Sequence, residues 1–229
     1  MKRPRLGRKT GPKPQFSVSE IAECALQLGL DRFTMGQLAR ELGIVPSAIY
    51  RYVESREDLI MQALARAGRL LRPPAPGATW QDVLRTMTDD MWNMFESYPR
   101  LAVALSQTPG AHVHIQKYMR AVVDALVDGG IPGGRERALF AFDFVGDTVM
   151  GQRIFIDEMV ELSEDGTSGL DRARQRFEES PYAPVGEDVM YYPAAEWVSR
   201  QPLDRKVEFI ISALELVPFS QGDNHTKKR

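Results

Sequence analysis

Apolar side chains recur at helical spacing along most of the chain, and polar caps mark where the runs begin. In FSVSEIAECALQLGL, Ile21, Cys24, Ala25 and Leu28 fall at i, i+3, i+4 and i+7, one face of an amphipathic helix. Ser17 and Glu20 just ahead have the S-x-x-E spacing of a capping box, flanked by Phe16 and Ile21 as a hydrophobic staple. Gly29 ends the run. The same grammar repeats at FTMGQL, where Thr34 caps, Gln37 returns the hydrogen bond and Phe33 staples to Leu38. Leu38, Ala39 and Leu42 carry that second helix, and Gly43 supplies its left-handed stop. Pro46 suits the first turn of a third helix, because its missing N–H would be unpaired there anyway. Ser55 caps a fourth helix, REDLIMQALARAGRLL, which runs to the breaker RPPAPG at 72–77.

Beyond that breaker the pattern predicts longer helices over roughly 79–97, 100–107, 114–128, 134–160 and 203–217, with no strand-like alternation. The stretch 161–202 is polar and punctuated by Gly and Pro, a long excursion with a short helix near 171–179. Segments 138–158 and 204–216 are apolar around more of their circumference than a one-sided surface helix needs. Such helices are either buried in one subunit or packed against a partner. Gly146 and Gly151 allow close helix approach there, at a propensity cost of about 1 kcal/mol each.

Composition adds little until it is split along the chain. The 229 residues leave room for two unequal domains, and 43% hydrophobic content supplies a core. A single cysteine, Cys24, excludes an internal disulfide and a cysteine-rich zinc site. No stretch has the length or apolarity of a secretion signal or a membrane span, which gives the expectation of a cytoplasmic protein with no membrane partner. The net charge of −2 conceals an asymmetry. Residues 1–72 hold 13 basic and 7 acidic side chains (+6), and the remainder 16 and 24 (−8). A basic head on an acidic body points to a polyanion as the head's partner. Residues 1–15, with six basic side chains and three prolines, read as a disordered basic arm.

The stretch 34–53 has the spacing of a helix–turn–helix. Ala39 lies where the two helices cross and only a small side chain permits close approach; four residues on, Gly43 takes the tight turn. Leu38, Leu42, Ile44 and Ile49 are assigned inward, which leaves Ser47, Ala48, Tyr50, Arg51 and Tyr52 outside. Small residues at the start of a helix let its backbone approach base edges, while tyrosine and arginine tips can hold phosphates. The block FTMGQLARELGIVPSAIYRYVESREDLI resembles the N-terminal helix–turn–helix of the tetracycline-repressor-like (TetR) family of bacterial regulators. The resemblance implies a phosphate contact from Thr34, base contacts from Pro46, Ser47 and Ala48, phosphate or base-edge contacts from Tyr50 and Tyr52, and a phosphate anchor at Arg56. Arg51 joins this set, with Arg3, Arg5, Arg8 and Lys9 of the arm entering a minor groove. The family often has a Ser or Thr cap and a Lys where this chain has Val45 and Pro46. Fewer direct base contacts follow, with more specificity from the arm and from DNA shape.

The resemblance extends, more weakly, to a tetracycline-repressor-type C-terminal domain in which two helices per subunit form a four-helix dimer interface. It implies an all-α fold: a helix–turn–helix DNA-binding domain over 16–72, including a connector helix, then a regulatory, ligand-binding and dimerisation domain over 73–229. The expected function is a homodimeric transcriptional repressor, released from a palindromic double-stranded DNA operator by a small-molecule effector. The alternative is a DNA-binding regulator whose body takes a protein partner and no small ligand. Candidate pocket residues are Met87, Met91, Trp92, Phe95, His114, Phe144, Asp147 and Met150, from a larger apolar supply that includes Met94, Phe142 and Phe155. His112 and His114 resemble half a metal site, and His114 aligns with a magnesium-chelating histidine of the family. Phe155 stands where the partner carboxylate should be, so no metal and no cofactor are expected. No phosphate-cradling glycine loop, nucleophile elbow or H-E-x-x-H is present, and the adjacent pairs Asp89–Asp90 and Glu178–Glu179 splay apart on a helix, so no enzyme chemistry is expected.

Overall fold

Capping chemistry sets the helix starts. The computed structural model describes residues 16–184 and 191–216. The described helices are α1 (Val18–Leu28), α2 (Met35–Glu41), α3 (Pro46–Ile49), α4 (Arg56–Ala67), α5 (Trp80–Ser97), α6 (Leu101–Ser106), α7 (Gln116–Asp128), α8 (Gly134–Val160), α9 (Gly169–Glu179) and α10 (Gln201–Leu216). Among the described residues there is no strand, only an isolated antiparallel bridge between Leu162 and Ser168. Both capping boxes form. The Glu20 N–H donates to Ser17 Oγ at 3.2 Å while the Ser17 N–H donates to the Glu20 carboxylate at 2.7 Å. Gln37 and Thr34 exchange the equivalent pair at 3.1 and 2.9 Å. Ser55 Oγ, Thr79 Oγ1 and Ser168 Oγ accept from the first turns of α4, α5 and α9.

In the head, Ile21, Ala22, Ala25 and Leu26 of α1 pack with Leu38 and Ala39 of α2, Ile49 of α3, and Leu59 and Ala63 of α4. Leu42 and Ile44, both expected inward, are half-buried against that core. Gly43 (φ +67) turns the chain so that the Ile44 N–H reaches the Ala39 carbonyl at 2.9 Å. A side chain there would meet the cost of the left-handed region.

In the body, α8 lies against α5, α7, α9 and α10, and α5 against α7. The buried residues of head and body form one continuous apolar cluster. Polar links join the two as well. Arg100, which precedes α6, reaches Asp31 between α1 and α2 (2.6 Å) and Glu158 and Glu161 at the far end of α8 (2.9 and 2.8 Å). Arg32 pairs with the same Glu161. Tyr98 Oη donates to Glu23 of α1 at 3.1 Å, and Glu23 also pairs with Arg66 of α4. Where α4 ends, a Cβ on Gly68 would sit 2.9 Å from Ile115 Cγ2, so the connector docks tightly on the 111–115 turn.

Candidate nucleic-acid interface and effector cavity

The tip of the head is small and polar. α3 is a single turn; the chain leaves the helix at Tyr50, and residues 50–52 form a turn, so the expected third helix is shorter than its sequence pattern. Val45 precedes it with no side-chain cap and lies largely exposed. Thr34, Pro46, Ser47, Tyr50 and Arg51 are exposed on this surface, and Arg51 has no ion-pair partner among the described residues. Ala48 is half-buried. Tyr52 differs from its expected outward position, being half-buried against the head core. Arg56 departs further from expectation. Its guanidinium donates to the carbonyls of Phe33 (3.3 Å) and Leu30 (3.1 Å) and stacks over the Phe33 ring at 4.6 Å. Those bonds make it a brace between α4 and the α1–α2 loop. Arg3, Arg5, Arg8 and Lys9 lie outside the described residues.

Inside the body lies a cavity of 340 Å³, within the size range of small-molecule sites. Its walls come from five helices and the turns between them. Leu64 and Ala67 of α4 with Gly68 form one wall; Met91 and Met94 of α5 and Leu101 and Leu105 of α6 form another. Ile115, His112 and Tyr118 close a third, and α8 supplies Phe142, Asp143, Gly146, Asp147 and Met150. The Tyr118 and Phe142 rings meet edge to face at 6.5 Å. Gly146 lies on the α8 wall, where a Cβ would make ordinary contacts with the Met87 and Met91 methyls, at 3.7 and 3.9 Å.

Of the eight expected pocket residues, Met91, Asp147 and Met150 line the cavity. Met87 and Phe95 are buried in the core behind it. Trp92 faces elsewhere, with Arg153 and Arg200 over its ring at 5.7 and 5.8 Å. His114 is exposed outside the cavity, and its neighbour His112 takes the lining position. Phe144 points away from the cavity, tilted against Phe140 at 5.5 Å on the outer face of α8. Phe155 rests on Trp197. Among the described residues no three His, Cys, Asp or Glu side chains gather as a metal site.

Sequence reasoning missed Tyr118 and the α4 wall. The signal for Tyr118 was present, since it shares the buried stripe of α7 with Val122 and Leu126. A phenol on an inward stripe carries a hydroxyl that needs a partner. Its oxygen is fully buried and finds none among the described residues. Burial pushes the Tyr118 hydroxyl well above the ordinary tyrosine range, and the nearby Asp90 charge adds to the shift.

The outer face of α8 and α10 exposes Leu139, Phe140, Phe144, Phe209 and Leu216, with Phe209 75% accessible. Gly151 lies on the exposed side, where a Cβ would meet nothing within 4 Å. Neither α8 glycine shows the close helix approach expected of it within this chain: Gly146 lines the cavity with room for a Cβ, and Gly151 faces outward.

No protein-family model matches the chain. Among curated proteins, the HTH-type transcriptional repressor DrrR1 of Streptomyces coeruleorubidus is 30% identical over 97 residues; the match spans 40% of this chain and only 36% of the relative's length. Among solved structures, a possible TetR family transcriptional regulator from Streptomyces coelicolor A3(2) superposes with a TM-score of 0.69 at 17% identity, covering 88% of this chain and 100% of that one. The S. coelicolor TetR family protein ActR, in complex with actinorhodin, gives 0.62 at 19% identity over 88% and 96% of the two chains. With its capped three-helix head, its bridging α4 and its hollow helical body, the chain has the fold of the TetR family regulators.

Proposed function

We propose that the chain is a cytoplasmic, homodimeric transcriptional repressor of the TetR type, with a DNA-binding head over 16–72 and a regulatory body over 73–229. A small molecule in the body cavity would release it from a palindromic operator. One observation carries this reading: α4 belongs to both parts at once. Its Leu59 and Ala63 complete the head core, while Leu64, Ala67 and the following Gly68 wall the cavity. A molecule that favours a different α4 position therefore reorients the head, as a population shift between two states that bind it unequally. ActR, whose crystal structure is a complex with actinorhodin, supports a small-molecule ligand for a chain of this fold. The name of the curated relative supports repression.

The exposed tip of α3 would enter the major groove, with Ser47 and Pro46 near bases and Tyr50, Arg51 and Thr34 on phosphates. The basic arm would lie in the adjacent minor groove. Two heads must stand about 34–36 Å apart to reach successive major-groove faces. The apolar face of α8 and α10 would pair with its copy to hold them there. The test is selection of bound fragments from genomic DNA with the full chain, followed by binding of the selected site by wild type and by Phe209→Asp. Phe209 is exposed, so this variant should fold, sediment as a monomer and lose at least about 100-fold in affinity by forfeiting the second half-site. A Phe209→Asp protein that remains dimeric, or a wild type that enriches no sequence, would overturn the proposal.

A further inference from the structure

The turn between α1 and α2 is held from two sides. Arg56 of α4 takes its Leu30 and Phe33 carbonyls, and the body takes its charged side chains. Arg100, ahead of α6, donates from Nε to Asp31 at 2.6 Å and from Nη1 to Glu158 and Glu161 at 2.9 and 2.8 Å. Arg32, beside Asp31, pairs with Glu161 as well. One guanidinium thus joins the turn before α2, the approach to α6 and the end of α8. Asp31 Oδ1 is buried with no other partner among the described residues, so leaving this contact strands a buried charge.

The far end of the contact is rigid. At the start of α9 the Gly169 N–H donates to the Glu161 carbonyl at 3.1 Å, and a Cβ on Gly169 would collide with the Glu158 carbonyl. α9 therefore clamps the two residues that carry the acids. In the middle, Arg100 holds φ +57, a backbone that a side-chain-bearing residue keeps only where its surroundings over-determine it. A clamped helix end and a fixed guanidinium make a strut, unlike an ion pair between two mobile tips. α8 also walls the cavity as far as Met150, about 12 Å back along its axis from Glu158 at 1.5 Å per residue. At the head end, Thr34 caps α2 two residues beyond Arg32.

Resting on the head-and-body reading above, we propose that this cluster is a second tether, separate from α4, that fixes the orientation of the head to the end of α8 and holds it for DNA. A displacement of α8 then reaches the start of α2 through Glu158, Glu161 and Arg100 without passing along α4. Two heads that must stand a set distance apart bind more tightly when their orientation is already fixed, because less freedom is lost on binding.

Glu158→Gln/Glu161→Gln in the full chain tests this. The two side chains are 54% and 32% exposed, so the amides fit and the fold is kept. The Arg32 and Phe33 amides donate to the Gly29 carbonyl at 3.2 and 3.0 Å. Their hydrogen exchange should speed at least about threefold in the double variant, with the amides of α4 unchanged. High salt should speed the same two amides in the wild type and not in the variant. Affinity for the selected operator should fall at least about fivefold, whereas the loss of two acids acting through charge alone would raise it. Glu164→Gln, at an exposed position three residues past Glu161, should leave exchange unaltered and DNA binding no weaker. Unaltered exchange in the double variant, or operator binding that is unchanged or tighter, would overturn the proposal. A wild type that selects no DNA sinks the regulator reading alone, and the exchange contrast then decides the tether by itself.

Discussion

Arg100 offers the sharpest test of how head and body are joined. It holds φ +57, in the left-handed region, where among the described residues every other occupant is glycine. That backbone costs a side-chain-bearing residue about 1–2 kcal/mol, so something must hold Arg100 there. Its side chain is 15% exposed and Asp31, its closest partner, 8% exposed. Removing the guanidinium strands the Asp31 carboxylate in a buried site, a loss of about 3–5 kcal/mol for such pairs. Glu158 is 54% exposed, and screening limits its share to about 0–1 kcal/mol. Glu161 keeps Arg32. Arg100→Ala should therefore lower stability by about 3–4 kcal/mol. Arg100→Gly should recover about 1 kcal/mol of that by relaxing the backbone. Urea unfolding of the full chain at fixed protomer concentration measures both, and a double-mutant cycle with Asp31→Asn measures the pair alone. The cycle should return at least about 1.5 kcal/mol of coupling, little changed between low and high salt. A loss below about 1 kcal/mol for Arg100→Ala, or additivity with Asp31→Asn, would show that the contact is only a surface bridge.

Two further outcomes follow from the geometry. At Glu23, burial alone would raise the carboxyl pKa, but hydrogen bonds from Arg66, Gln27 and Tyr98 outweigh it and hold the group below its ordinary 4.5. A folded pKa below the unfolded one gives stability that is complete above about pH 4.5 and fades as pH falls through the folded value. Glu23→Gln should therefore flatten the acid limb of a Tm-against-pH curve, and an unaltered limb would remove Glu23 from the head–body link. In the cavity, Gly146→Leu should fill the space beside Met91. DNA affinity should stay within about threefold while ligand-driven release is lost, because the head is untouched; a variant that still releases DNA normally would place the effector elsewhere.

Much of the head was legible because its determinants are local. Ser17 with Glu20, Thr34 with Gln37, and Gly43 each act within four residues, so their spacing along the chain is already their geometry. The helix runs of the body followed for the same reason, and α5 through α10 begin and end close to where caps and breakers put them. What periodicity could not settle was the direction each face of an all-round apolar helix would take. Phe142 and Phe144 are two residues apart, about 200° around α8 at 3.6 residues per turn. One lines the cavity and the other faces out, and the sequence offers the same side chain at both. His112 and His114 exchanged roles in the same way.

The chain alone determined where helices start, which face of the head is small and polar, and that the positive charge gathers at one end. Contacts between residues far apart decided the rest. Arg56 turns to carbonyls 23 and 26 residues away, Arg100 gathers acids from α8 and the α1–α2 loop, and α4 reaches a cavity whose other walls begin at Met91. No short-range signal encodes these, because a buried donor or charge takes the partner that folding brings within reach, and only the packed helices say which one that is.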